Sequence, residues 1–156
     1  MKNISIPYLV LILIIFLSTN TILNAQENNG LSNGQMIYVP VYSHIYTGNR
    51  EIRSPLAVTL SIRNTDLKHP ITILYVDYYE TQGKLLKKYI SSPLVLDALS
   101  TARYIIHQKD KTGGSGANFI VQWKAHRPVN VPIIETIMIG SRSSFTSRGQ
   151  EIVPSD

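Results

Sequence analysis

The sequence has no cysteine. That excludes a disulfide framework, a thiolate metal site, a cysteine nucleophile, a type-1 copper centre and a lipid anchor on an N-terminal cysteine. Charge is scarce too. Asp, Glu, Lys and Arg make up 16% of the 156 residues, with 15 bases against 10 acids for a formal +5. So little charge beside 44% hydrophobic residues is not the make-up of a disordered polyelectrolyte. Long apolar runs are missing after the N-terminus, which excludes a multi-span membrane protein. The length suits one domain.

The one hydrophobic run, residues 6–17, follows Lys2 and is broken by Ser18, Thr19, Asn20 and Thr21. A spanning helix needs roughly 20 apolar residues, so this run falls short. Leu23-Asn24-Ala25 places a small residue just before Gln26, which fits a cleavage site, although Leu23 is a poorer match than alanine. Residues 1–25 are therefore read as a cleaved secretory signal, with an uncleaved anchor as the alternative. The expected address is outside the cytoplasm, periplasmic or extracellular, with no membrane span left after cleavage. Losing Lys2 lowers the charge to +4, and the remaining bases are spread along the chain. A nucleic-acid binder concentrates its bases, so no nucleic acid is expected as partner.

Residues 26–35 are polar and carry two Asn/Gly breaks, which reads as a flexible leader. From Met36 the dominant period is two. Leu56, Val58, Leu60 and Ile62 fall on one face of a strand; Ala57, Thr59, Ser61 and Arg63 fall on the other. Residues 71–79 are rich in β-branched and aromatic types, and Gly83 then sits where a hairpin wants positive φ. Ala102, Tyr104 and Ile106 share a face, as do Phe119, Val121 and Trp123. Residues 133–139 form the last clear strand, and residues 36–46 the first, with Pro40 suiting an edge or bulge. Residues 93–100 read as a crossing segment, and the polar run 140–149 as a final loop.

This pattern predicts about seven short strands and no amphipathic helix. The expected fold is all-β, an immunoglobulin-like antiparallel β-sandwich, with a small β-barrel as the alternative. The domain spans residues 36–152, with 153–156 as a tail.

Chemistry-bearing features are few. Gly113, Gly114 and Gly116 free the backbone around Ser115, and Lys109 and Lys111 stand nearby. Such loops turn N–H groups toward an anion. Phosphate loops lead into a helix, however, and this one leads into a strand. A structural loop needing positive φ is the competing reading. His44, His69, His107 and His126 lack short ligand spacings, so no metal or cofactor is implied. His107, Asp110 and Ser115 make a Ser/His/Asp set available in principle, without the G-x-S-x-G turn that exposes a nucleophile. Asp77 is read on the solvent side, sharing a face with Ile73, Tyr75 and Tyr79.

Tyrosine is concentrated in the first half. In an unbroken strand Tyr38, Tyr42, His44 and Tyr46 share one face. Amphipathic aromatics on an exposed face make contact sites for proteins or glycans; the alternative is that they cap the core. Arg142 and Arg148 could extend a cationic patch toward the glycine loop.

Several segments together resemble one family: Y-V-P-V-Y-S-H-I-Y at 38–46, L-S-I-R-N-T-D at 60–66, V-D-Y-Y at 76–79, G-G-S-G-A-N-F at 113–119 with Trp123, and F-T-S-R-G at 145–149. They resemble the bacterial domain of unknown function 3124 family, over nearly the whole mature chain. The resemblance implies a small exported bacterial protein and brings no activity or catalytic residue. One departure is Gln122, where the resemblance implies an acidic residue before the tryptophan.

The functional expectation is a binding or interaction module of the cell envelope, with no enzymatic activity favoured. Its site is placed at Tyr42, His44, Tyr46 and the loop residues Gly113, Gly114, Ser115, Gly116 and Asn118. The partner is another envelope protein or a glycan. A small-ligand or metal sensor using His44 is the alternative, and a hydrolase comes third.

Overall fold

A computed structural model describes residues 30–48, 52–141 and 143–153. The signal peptide expected at 1–25, the first residues of the expected leader, Arg142 and most of the expected tail lie outside the described residues. Among the described residues twelve strands follow one another: β1 (Leu31–Val41), β2 (His44–Thr47), β3 (Ile52–Pro55), β4 (Ala57–Arg63), β5 (Ile71–Tyr79), β6 (Leu85–Lys88), β7 (Leu94–Leu96), β8 (Thr101–Ile106), β9 (Ala117–Asn130), β10 (Ile133–Ile139), β11 (Ser144–Arg148) and β12 (Gln150–Ile152). Among the described residues there is no helix, and so none long and apolar enough to cross a membrane.

The larger sheet runs β12-β1-β9-β5-β6, with β7 also on β5; the second runs β11-β10-β4-β8. All pairings are antiparallel. The sheets share one core and neither closes on itself, so the architecture is a β-sandwich and not a barrel. Alternation explains it directly. Val58, Leu60 and Ile62 are buried from the second sheet, with Leu56 just ahead of β4, and Ile37, Val39, Val41, Phe119, Val121 and Trp123 from the first. Because a strand's side-chain period is two, each such row can face only one partner, the opposite sheet.

Two local departures from strict alternation matter. In β5 the register against β9 shifts between Ile73 and Tyr75, so Ile73 joins the core and Val76 and Tyr78 resume the inward row beyond the bulge. Ile73 therefore does not share the face of Asp77, and Asp77 is not solvent-exposed but buried at 8% exposure. Among the described residues its Oδ1 has no hydrogen-bond partner. In β1 pairing starts at Leu31, so residues read as leader continue the strand against the long β9.

The strand count exceeds the expected seven because β2, β3, β6, β7 and β12 are only three or four residues long. Pieces that short carry too few positions to show a period. The last two strands, β11 and β12, are polar segments held on by their ladders to β10 and β1.

Candidate functional site

The tyrosine-rich strand is broken. β1 ends at Val41, and β2 begins at His44 as part of a separate two-stranded ribbon with β3. Ser43, fully buried, is the pivot between them. Its N–H donates to Gly114 O at 2.9 Å, its carbonyl accepts from the Leu56 N–H at 2.9 Å, and its Oγ lies 3.2 Å from the Tyr78 hydroxyl. Three segments distant in the chain are thus pinned at one residue. Tyr42 turns away from the ribbon and packs edge-on against Phe145, with ring centroids 5.9 Å apart.

On the ribbon, Tyr46 pairs with Arg53 and His44 with Pro55. Cross-strand partners and residues two apart share a face, so these four side chains stand together. The His44 and Tyr46 rings meet edge-on at 5.2 Å. Tyr46 is half exposed, whereas His44 is 8% exposed and its Nε2 is buried with no hydrogen-bond partner among the described residues. Beside it opens a pocket of about 100 Å³ lined by His44, Arg53, Pro55 and Lys111. Burial pushes the imidazole pKa below its ordinary 6.5, and the positive charges of Arg53 and Lys111 lower it further. The pocket is therefore a neutral ring flanked by two cations. Electrostatically it repels a metal ion and attracts an anion.

Lys111 arrives on the glycine loop, which is fastened by its backbone. Thr81 donates to Gly113 O through both N–H and Oγ1, each at 2.9 Å, and its Oγ1 accepts the Gly116 N–H at 3.0 Å. Gly113 leaves no room for a side chain: a Cβ there would overlap the Tyr78 hydroxyl and Ala117. Gly114 adopts φ +79°, which glycine takes without strain. Ahead of the loop, Asp110 Oδ1 accepts from the Thr112 N–H and hydroxyl. That turn uses the Asp110 carboxylate locally and sets Lys111 facing the ribbon. Ser115 is half-buried in the loop, and Asn118 lies within the β9 ladder between Pro40 and Tyr79.

The structure so brings His44 and Tyr46 together, ties them through Ser43 to Gly114, and points Tyr42 elsewhere. Arg53 and Pro55 escaped the sequence reading, and Lys111 figured there only as a charge beside the loop. Nothing local marks Arg53; its place depends on β2–β3 pairing. Arg148 sits on β11 opposite Glu135 and does not line the pocket. Among the described residues no three of His, Cys, Asp and Glu gather into a set that could hold a metal.

On the other face of the ribbon lies a wider groove of about 450 Å³, lined by Ile45, Ile52, Ser54, Ser141 and Ser143. Arg53 and Pro55 line it too, so the two recesses meet around these side chains.

A family model described as "Protein of unknown function (DUF3124)" matches residues 34–152. The comparison with curated proteins finds no match. Among solved structures the chain is similar to the crystal structure of Thermotoga maritima 1070, with 10% identity and a TM-score of 0.43, over 74% of this chain and 92% of that one. A likeness at that level carries no argument about function.

Proposed function

We propose that this chain, which belongs to the DUF3124 family of proteins of unknown function, is an exported anion-binding module of the cell envelope. The hydrophobic run behind Lys2 supports export. One observation carries the binding reading: His44 is buried with its Nε2 unpartnered among the described residues, beside a pocket whose charged walls are Arg53 and Lys111. A buried polar atom without a partner costs roughly 1–3 kcal/mol, and an oxyanion accepting from an Nε2–H removes that cost while offsetting the charge of the two cations. The pocket's size supports a small group. Its 100 Å³ is about three water molecules at roughly 30 Å³ each, enough for a carboxylate or a phosphate.

Nuclear magnetic resonance of the His44 ring tests this. Titration with acetate or inorganic phosphate is expected to move the ring signals saturably and to raise the imidazole pKa. Arg53→Gln should weaken the response several-fold while leaving the melting point unchanged, because the Arg53 side chain is exposed. No response of His44 to either anion or to any anionic ligand would overturn the reading.

A further inference from the structure

The small pocket does not stand alone, and its neighbour restricts what the anion can be attached to. We infer that the ligand is the C-terminal end of an extended polypeptide: its carboxylate sits in the His44 pocket and an apolar side chain lies in the Ile45–Ile52 groove. The inference rests on the anion-binding reading and adds the ligand class.

Charge complementarity places an anionic group in the pocket. Arg53 and Lys111 offer two cations to one anionic group, and the volume admits little beyond it. Contiguity fixes the direction of the rest. Arg53 and Pro55 line both recesses, so a chain leaving the pocket crosses β3 and enters the groove on the ribbon's other face. Among the described residues β3 pairs only with β2. An extended backbone places successive side chains on opposite sides, as the crossing of a strand edge requires.

The groove lining decides between a peptide and a simple hydrocarbon chain. Ile45 and Ile52 supply apolar contact, but Ser54, Ser141 and Ser143 stand beside them. Covering three hydroxyls with an acyl chain leaves them unpaired. A peptide satisfies them with its own N–H and C=O groups. A free phosphate fills the pocket and leaves the groove unused.

The test is a titration of the purified protein with four probes: a short peptide ending in leucine with a free carboxylate, the same peptide as its C-terminal amide, octanoate, and acetate. The free-acid peptide is expected to bind at least about tenfold more tightly than each of the other three, a difference of about 1.4 kcal/mol. Arg53→Gln and Lys111→Gln should each weaken it. Ile52→Ser should weaken the peptide several-fold and leave acetate unchanged, which a merely cationic pocket would not produce. Equal binding of acid and amide, or of octanoate and peptide, overturns the peptide inference. If acetate moves His44 but the peptide binds no more tightly, the inference fails while the anion-binding reading stands. If none of the probes moves His44, both fall.

Discussion

The Tyr78 hydroxyl lies 3.2 Å from Ser43 Oγ, joining the C-terminal end of β5 to the corner where β1 gives way to the β2–β3 ribbon. Tyr78 is 2% exposed and Ser43 fully buried, so neither oxygen has water as a substitute partner. Tyr78→Phe should therefore cost about 1–3 kcal/mol, the penalty of stranding the serine hydroxyl. Ser43→Ala should cost a similar amount. In urea denaturation the double variant should lose clearly less than the sum of the two, because the second change removes a group already unpartnered. Strict additivity would mean the contact contributes nothing.

Gly113 depends on that same hydroxyl from the opposite side. A Cβ at Gly113 collides with Tyr78 and Ala117, both buried, whereas a Cβ at Gly116 comes no nearer than 3.2 Å to the Thr81 methyl. Gly113→Ala should destabilise by about 1–3 kcal/mol, as overpacking does, with a smaller loss for Gly116→Ala. Tyr78→Phe in the Gly113→Ala background should recover part of the loss by making room. A shift of the urea midpoint at constant slope measures each effect.

These contacts also mark where reading the sequence stops working. The rows Leu56–Ile62 and Phe119–Trp123 were legible because each keeps one face to the core, and a period of two survives in the letters. Ile73 and Asp77 were misplaced because one bulge in β5 shifts the phase, and no residue type announces it. Residues 31–35 look like a leader by composition. They are strand because β9 runs on to Asn130 and offers them a ladder. At the site, His44 and Tyr46 were legible as an aromatic cluster and the glycine loop as a special turn. Arg53 was not, since its nearness to Lys111 follows from a ribbon pairing and a docked loop that only the folded chain creates.

Tyr42 and Tyr46 should part company when tested. Tyr42 is half-buried and packs on Phe145, which itself lies against the core. Tyr42→Ala should lower stability by about 1–3 kcal/mol through lost burial and the ring pair. Tyr46 is 49% exposed, and its main contact is the His44 ring. Tyr46→Ala should cost roughly 0.5–1 kcal/mol and open His44 to solvent. The imidazole pKa should then move back toward its ordinary value, which a titration of the His44 ring signals reads directly.

Far from the ribbon, Asp66 anchors the turn after β4. Its Oδ1 accepts the N–H groups of Lys68 and His69 at 2.9 and 2.8 Å, and its Oδ2 accepts that of Asn130 at 3.2 Å. The Lys68 and His69 amides, in that order, hold its pKa below the ordinary 3.8. A carboxylate lowered on folding contributes stability above 3.8, and this is lost as pH falls through the folded value. Asp66→Asn keeps the shape without the charge. The variant should be less stable than the parent near neutrality, and the gap should close in acid; a constant gap would show that the charge is not what matters.

His44, a base held neutral by its surroundings, shows a related dependence. Its folded pKa lies below 6.5, because burial and then Arg53 and Lys111 disfavour the imidazolium. Between the folded and unfolded values the unfolded chain binds more protons, so stability rises with pH there. The contribution is intact above 6.5 and is lost as pH falls through the lowered folded value. Over roughly pH 5 to 8, where histidine changes charge, the melting point should therefore sag on the acid side. His44→Gln should reduce the sag, because it removes the one histidine whose pKa burial and the two cations lower. An anion in the pocket reverses the preference by stabilising the imidazolium between Arg53 and Lys111, so saturating acetate or phosphate should flatten the parent's profile and leave the His44→Gln profile unchanged. If the anion flattens both profiles alike, its effect does not act through the His44 imidazole.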